Sequence, residues 1–394
     1  MSTYLSSADA AALLGVSRQT LYAYVSRGLL HAHPGEEARE SRYLAAEVER
    51  LAVNRTRGRK PREVARAALD WGLPVLESAL TLIEDGRLYY RGQDAVEFST
   101  QASVEEAAAL LWDCTVEEAF DQAAPCLPTG FDALAAQWHE RRAEQTLLPL
   151  FSLACAEDIG AQWQLPSARR LASAGLLVRR LAACLLGSRP STEPLHLQCA
   201  RAWQLDAVGA DLVRRSLVLC ADHELNASGF TARCIASTGA NLQASIVGGL
   251  AALSGPLHGG TTARVEALLE MLEIAADPAQ ALRERLARGD DLPGFGHHLY
   301  PQGDVRAQAL LAGFLDAHPR WQLAITTVRE LTGHAPSVDF ALAALRRHLG
   351  LPAGSAFGLF ALGRSLGWIA HALEQGRDGS LIRPRAAYTG PRPG

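Results

Sequence analysis

The sequence predicts a mainly α-helical protein in two parts, a small N-terminal unit and a large helical unit behind it. Three observations lead there. Apolar residues recur at three- and four-residue spacing through most of the chain after residue 94, and no strands alternate with them, which argues against a doubly wound sheet. The first 55 residues carry their own caps, turn and closing apolar run. Arg55, Arg57, Arg59, Lys60, Arg62 and Arg66 then mark a basic linker at 56–69.

A chain of 394 residues can bury a sizeable core. Its net charge of −4 excludes a generally basic nucleic-acid coat. The balance is uneven: residues 1–66 hold eleven Arg/Lys against seven Asp/Glu, so basic partners of phosphate concentrate at one end. Seven scattered cysteines with no C-x-x-C pair predict reduced thiols in the cytoplasm, no disulfide framework and no metal site. No signal peptide opens the sequence. The window Cys234–Ala263 carries no charge but contains Asn241, Gln243 and several glycines. It reads as buried or subunit-interface helix, with one long helix over Cys234–Ser254, and no membrane contact is expected.

In the first unit, Ser6 or Ser7 caps a short helix through Leu14. Gly15 suits its left-handed end, and Ser17 caps a second helix to about Ser26 with Leu21 and Val25 inward. Arg18, Gln19, Thr20 and Tyr22 are left to face outward near its start. Two helices around a tight turn form a helix-turn-helix, whose second helix reads base edges from that position. Leu13-Leu14-Gly15-Val16-Ser17-Arg18-Gln19-Thr20-Leu21-Tyr22 and Ser41-Arg42-Tyr43-Leu44 resemble the winged helix-turn-helix of the MerR and excisionase group. The resemblance implies DNA as a partner; a hairpin used only for packing or oligomerisation is the alternative.

The second unit opens with a β-hairpin. Ser78–Ile83 and Leu88–Gly92 flank Glu84-Asp85-Gly86-Arg87, whose Asp-Gly suits a tight turn. Helices follow from Asp94 onward. One begins at Ser167, read as its cap, with Leu171, Ala174, Val178, Leu181 and Leu185 inward and Arg169, Arg170, Arg179 and Arg180 elsewhere on the wheel. Leu212–Ala221 leads into His223. Later helices run over 263–274, 278–287, 305–317, 321–331, 339–349 and 356–375.

Three histidines sit on turns marked by Gly or Asn. They are Asp222-His223-Glu224-Leu225-Asn226-Ala227-Ser228, Gly255-Pro256-Leu257-His258-Gly259-Gly260 and Pro293-Gly294-Phe295-Gly296-His297. With Asp339, Arg306, Arg364 and Arg383 they suit chemistry on a small polyanion. Histidine moves protons near neutral pH, and the arginine fork matches a carboxylate. The plain alternatives are a hydrogen-bonded core histidine, an Arg364 paired with a core carboxylate, and an Asp339 that only serves a helix N-terminus.

From about residue 70 the chain resembles the citrate synthase family. The three histidine motifs carry the resemblance, with Tyr90-Arg91-Gly92, Pro336-Ser337-Val338-Asp339, Arg383-Pro384-Arg385 and Tyr388-Thr389-Gly390 in family order. It implies large and small helical domains with an active site in the cleft, the small one at roughly 259–343, within a domain spanning 70–394. It implies condensation of acetyl-CoA with oxaloacetate and hydrolysis of the thioester, with a CoA thioester as substrate and no bound cofactor. By the resemblance Asp339 is the base, His258 a neutral donor to the thioester oxygen, and His297 the group that polarises the ketone. His223, Arg306 and Arg364 hold oxaloacetate, and Arg383 does so from the second subunit of a homodimer. His298 rivals His297, and Arg385 rivals Arg383; motif position favours His297 and Arg383.

Three places depart from the family pattern: Val305 before Arg306, Thr261-Thr262-Ala263-Arg264 after the His258 turn, and Gly229. They leave the acyl preference open between acetyl-CoA and propionyl-CoA, the latter giving 2-methylcitrate. A transcriptional regulator whose synthase-like domain senses oxaloacetate, citrate or a CoA ester is the reading from another class.

Overall fold

A computed structural model describes residues 4–26, 30–34, 41–45, 47–48, 51, 76–138, 140–156, 166–386 and 388–391. The chain forms two compact units, Met1–Glu77 and Ser78–Gly394. The basic linker expected at 56–69 lies outside the described residues.

The first unit contains β1 (Tyr4–Ser6), α1 (Ser7–Leu13), α2 (Arg18–Ser26), β2 (Ala32–Pro34) and β3 (Ser41–Leu44). Ser6 caps α1 by accepting the Asp9 N–H, Gly15 takes a positive φ of 59°, and Ser17 Oγ accepts the Thr20 N–H at 3.2 Å. The strands pair antiparallel in the order β1-β3-β2, with Tyr4 opposite Leu44 and His33 opposite Arg42. Strands this short show no alternation, so only the helices were legible. Ala10, Leu14, Leu21, Leu30, Tyr43 and Val48 form the core between helices and sheet.

The second unit begins with β4 (Thr81–Glu84), β5 (Arg87–Tyr90) and β6 (Gln93–Asp94), an antiparallel sheet in that order. Asp85 and Gly86, with φ of 51° and 74°, make the left-handed turn that matches strand twist. Then come α3 (Ala95–Phe98), α4 (Val104–Trp112), α5 (Val116–Phe120), α6 (Phe131–Ala136), α7 (Ala143–Ala154), α8 (Ser167–Leu186), α9 (Leu195–Ala202) and α10 (Ala207–Leu219). They are followed by α11 (Ala227–Ala236), α12 (Leu242–Leu253), α13 (Thr261–Ile274), α14 (Pro278–Ala287), α15 (Val305–Leu311), α16 (Pro319–Thr332), α17 (Val338–His348) and α18 (Ser355–Asp378).

Four expectations need correction. The helix expected over 305–317 ends at Leu311, and a separate 3-10 turn follows at Leu315–Ala317. The single helix over Cys234–Ser254 is two. Gly239, at φ 81°, stops α11, and the Asn241 side chain caps α12 by accepting the Ala244 N–H. Ser167 does not cap α8. The position belongs to Pro166, and no side chain caps it. Arg179 faces inward with the apolar residues. It donates to the carbonyls of Phe120 and Gln122, both at 2.7 Å, satisfying the open end of α5.

Around α18 the large core is built. This helix is long and apolar enough to cross a bilayer, yet its apolar stretch is entirely buried within the protein. It packs against α4, α7, α8, α10, α11, α12 and α17. At Gly367 it meets the chain leaving α10 directly: its N–H donates to Ala221 O at 2.9 Å, and a Cβ there would stand 2.3 Å from Asp222 Oδ1. A separate small core of Leu268, Leu272, Leu282, Ala324 and Val328 lies among α13, α14 and α16.

Candidate active site

His223 is placed by the turn between α10 and α11. Asn226 caps α11 through Oδ1, which accepts the Gly229 N–H at 3.0 Å, while Nδ2 donates to His223 O and Glu224 O. Glu224 takes a φ of 53° to make the bend. The His223 side chain is buried. Its Nε2 lies 3.0 Å from the Tyr300 hydroxyl, and its ring meets that of His297 edge-on at 5.1 Å. Burial, then Arg306 and Arg364, hold its pKa well below the usual value.

His258 follows α12 on a turn so tight that the Gly260 N–H reaches both Leu253 O and Gly255 O at 3.1 Å. A Cβ at position 260 would stand 2.6 Å from Ser254 O, so glycine is required there. His258 Nε2 lies 2.8 Å from Ser228 Oγ, and its ring meets Phe360 edge-on. Burial, helped by Arg364, lowers its pKa to about 4.

The His297 loop is fastened to the start of α17. Gly296 N donates to Ala335 O and Ser337 N to Gly294 O, both at 2.8 Å. Gly296, at φ 80°, could not carry a Cβ, which would fall 2.1 Å from His334 Nδ1. This fastening sets His297 and Asp339 on one cleft of about 640 Å³, with Leu257 and Thr261 on either side of His258 also lining it. The Leu299 N–H donates to His297 Nδ1 at 3.2 Å, so the neutral ring carries its proton on Nε2. Burial and Arg306 lower the His297 pKa to about 4. His298 is exposed.

Asp339 sits in the first turn of α17. The residue is half-buried, but its Oδ1 is wholly covered and has no partner in the protein; Oδ2 accepts the Ser337 hydroxyl at 3.3 Å. A helix N-terminus favours the carboxylate. Burial outweighs that and the Arg306 charge, and raises the pKa to about 6.

Arg306 donates Nε and Nη2 to the two oxygens of Asp304 at 2.9 and 2.8 Å, a fully buried pair. Asp304 Oδ2 also accepts the Val338 N–H at 3.0 Å, one residue before Asp339. Arg364 Nε donates to Cys220 O at 2.8 Å, its guanidinium stands over Phe360, and its Nη2 is buried without a protein partner.

The structure therefore brings His223, His258, His297, Arg306, Arg364 and Asp339 to one site. Arg383, like Arg385, lies exposed in the extended segment after α18 and does not join them. In the first unit Arg18, Gln19 and Tyr22 are exposed at the start of α2, while Thr20 is half-buried with its hydroxyl against Ser17. No group of three or more His, Cys, Asp or Glu able to hold a metal occurs among the described residues.

Sequence reasoning missed Tyr300, Asp304 and Ser228 as parts of the site. Tyr300 packs between His223, His297 and Arg306. Its only signal was a spacing of three from His297. Asp304 was visible as a near neighbour of Arg306, and Ser228 as the end of the His223 motif.

A family model described as Citrate synthase, C-terminal domain, matches residues 68–385, and a Helix-turn-helix domain model matches residues 4–55. The citrate synthase of Haloferax volcanii is 32% identical over 368 residues, covering 81% of this chain and 94% of that protein. Putative citrate synthase 2 of Mycobacterium tuberculosis is 43% identical over 213 residues, 51% of this chain; the match spans about half of that relative's length, 53%. The 2-methylcitrate synthase of the same species is 36% identical over 188 residues, covering 45% of this chain and 47% of its own. Among solved structures, citrate synthase from Thermotoga maritima superposes with a TM-score of 0.66 at 28% identity, covering 81% of this chain and 94% of that one.

Proposed function

The chain belongs to the citrate synthase family, and from that premise we propose that it condenses acetyl-CoA with oxaloacetate and hydrolyses the thioester to citrate and CoA. The observation that carries the reading is one cleft lined by Asp339, a carboxyl with a raised pKa, and His297, an imidazole with a lowered one, with His258, lowered likewise, in the turn between the lining residues Leu257 and Thr261. A base and neutral hydrogen-bond donors are what enolising a weak carbon acid requires.

Asp339, with a pKa of about 6, is ionised at neutral pH yet basic enough to take a proton from the acyl methyl group. His258 stays neutral and donates to the thioester oxygen as the enolate forms. Ser228 occupies Nε2, so the donor is Nδ1. For Nδ1 to hold the proton, the Ser228 hydroxyl turns from Asn226 Oδ1, also at 2.8 Å, to His258 Nε2. His297 presents Nε2–H to the ketone oxygen and protonates the alkoxide that the new C–C bond creates. Arg306, with two nitrogens held by Asp304, offers Nη1 to a carboxylate, and Arg364 offers Nη2; His223 completes the pocket. Water then cleaves the thioester. No resident cofactor enters, and the CoA thioester is a substrate.

The separate small core among α13, α14 and α16 supports a small domain near 259–343 that closes on the rest. The exposure of Arg383 supports a role in a second subunit's site, and the pair α11 and α12, which pack closely at Gly248, suits a homodimer interface. Seven scattered cysteines with no disulfide framework suit the cytoplasm.

Acetyl and propionyl groups differ by one methylene, worth about 1–3 kcal/mol in a pocket. Product formation from each ester with oxaloacetate tests the choice. Acetyl-CoA is expected to lead in kcat/KM by about tenfold or more; a ratio favouring propionyl-CoA assigns a 2-methylcitrate synthase instead.

A second reading rests on the exposed Arg18, Gln19 and Tyr22 of the helix-turn-helix. They support DNA binding by the first unit, coupled to a metabolite held in the second. Arg18→Ala is expected to weaken retention on DNA and to lower the slope of log affinity against log salt by about 1. An unchanged slope and affinity would remove Arg18 from the interface.

A further inference from the structure

Behind His223 the protein buries a second polar group that the reaction does not use. The side chains of Asp222 and His371 are both fully buried. His371 Nε2 hydrogen-bonds the Glu224 carbonyl at 3.3 Å and stands 3.3 Å from Asp222 Oδ1. A carbonyl only accepts, so this nitrogen carries a proton. Asp222 Oδ2 accepts the Thr81 hydroxyl of β4 at 2.5 Å, and the Tyr90 hydroxyl lies 3.3 Å from Asp222 O. Burial alone would push the Asp222 carboxyl up; His371, Arg364 and Thr81 together hold it below its ordinary value.

A carboxylate is costly to bury, and apolar packing of equal volume is often at least as stable. Location gives the reason. Asp222 immediately precedes His223. His371 lies seven residues after Arg364 on α18, two turns along the same face. Between them Gly367 lets the two segments touch, and at Gly229 a Cβ would stand 3.3 Å from His371 Cδ2. The pair thus ties the helix bearing Arg364 to the turn bearing His223. Asp222 is also the strongest favourable charge on Arg364, opposing the repulsion of Arg306 across the pocket.

We propose that Asp222 and His371 are a buried positioning pair that fixes Arg364 and His223 for a dicarboxylate 2-oxo acid, and so sets affinity for that substrate and not for the acyl-CoA. This rests on the reading that Arg364 and His223 hold oxaloacetate. His371→Leu removes the donor at similar volume, and His371→Gln restores one.

The test is calorimetric binding of oxaloacetate and of acetyl-CoA to the full chain, as wild type, His371→Leu, His371→Gln and Arg364→Gln, with melting curves for each. His371→Leu is expected to weaken oxaloacetate binding tenfold or more and acetyl-CoA binding less than threefold, with Gln recovering most of the loss. Equal losses for both ligands, or Gln no better than Leu, would overturn the proposal. If Arg364→Gln weakens oxaloacetate and His371→Leu does not, the positioning pair alone is wrong. If Arg364→Gln has no effect, the substrate assignment itself is wrong and the proposal falls with it. Should His371→Leu fail to fold, Thr81→Val, which removes the Asp222 Oδ2 contact from the edge of the network, is expected to weaken oxaloacetate selectively in the same way. An unchanged affinity in that variant counts against the pair.

Discussion

Asp339→Asn is expected to lower turnover about a thousandfold while oxaloacetate binds within about threefold of wild type, because in the proposed mechanism it removes the base and keeps the shape. In the wild type, kcat/KM should fall on the acid side with a midpoint near the Asp339 pKa of about 6. The same shift predicts a stability effect of opposite sense. A carboxyl whose folded pKa lies above its unfolded value favours the fold fully below about 3.9, and that contribution is lost as pH rises through about 6. At pH 8 the buried carboxylate therefore costs about 1–3 kcal/mol, and Asp339→Asn should melt higher than wild type there and not at pH 4. A variant that keeps its turnover removes Asp339 as the base. One that is inactive but less stable at pH 8 removes the account of its strain.

Arg306→Ala is expected to destabilise the protein by about 3–5 kcal/mol, the largest stability effect predicted for this site. The loss comes less from the missing attraction than from Asp304, left buried and charged. In the wild type Asp304 is pushed up by burial but held lower overall by Arg306. Its contribution is present above the unfolded carboxyl pKa and fades as pH falls through the depressed folded value. Without the Arg306 side chain, burial, the largest influence on Asp304, is opposed only by the two backbone N–H bonds and His297, so the sign reverses: Arg306→Ala should gain stability as pH is lowered toward 4. Adding Asp304→Asn should recover part of the loss, since an amide oxygen still accepts the Val338 N–H. Urea unfolding of the two variants at pH 8 and pH 5 measures this. Equal losses at both pH values would contradict the electrostatic explanation.

The candidate site's histidines were legible because they stand on tight turns, and such turns leave marks in sequence. Gly259, Gly260, Gly294 and Gly296 sit where the chain folds back on itself, and each announces a neighbouring histidine. Asp304, Tyr300 and the Asp222–His371 pair carry no such mark. Asp304 pairs locally with Arg306, whereas Tyr300 meets His223 across 77 residues and Asp222 stands against His371 across 149. Helix existence was legible from periodicity, but not helix number at Cys234–Ser254. An uncharged run of small residues has no polar face to lose its phase when Gly239 breaks it. Arg179 misled for another reason: it was placed with the other arginines, off the apolar stripe, yet it turns inward. The deciding partners were carbonyls at the end of α5, which sequence does not display.

The most direct measurement is thiol release from acetyl-CoA by the purified protein, with and without oxaloacetate, in wild type and Asp339→Asn. The expected result is rapid release that requires oxaloacetate and is nearly abolished in the variant. Release independent of oxaloacetate, or none while oxaloacetate still binds, would contradict a condensing enzyme and leave the fold as a holder of metabolites beside a helix-turn-helix.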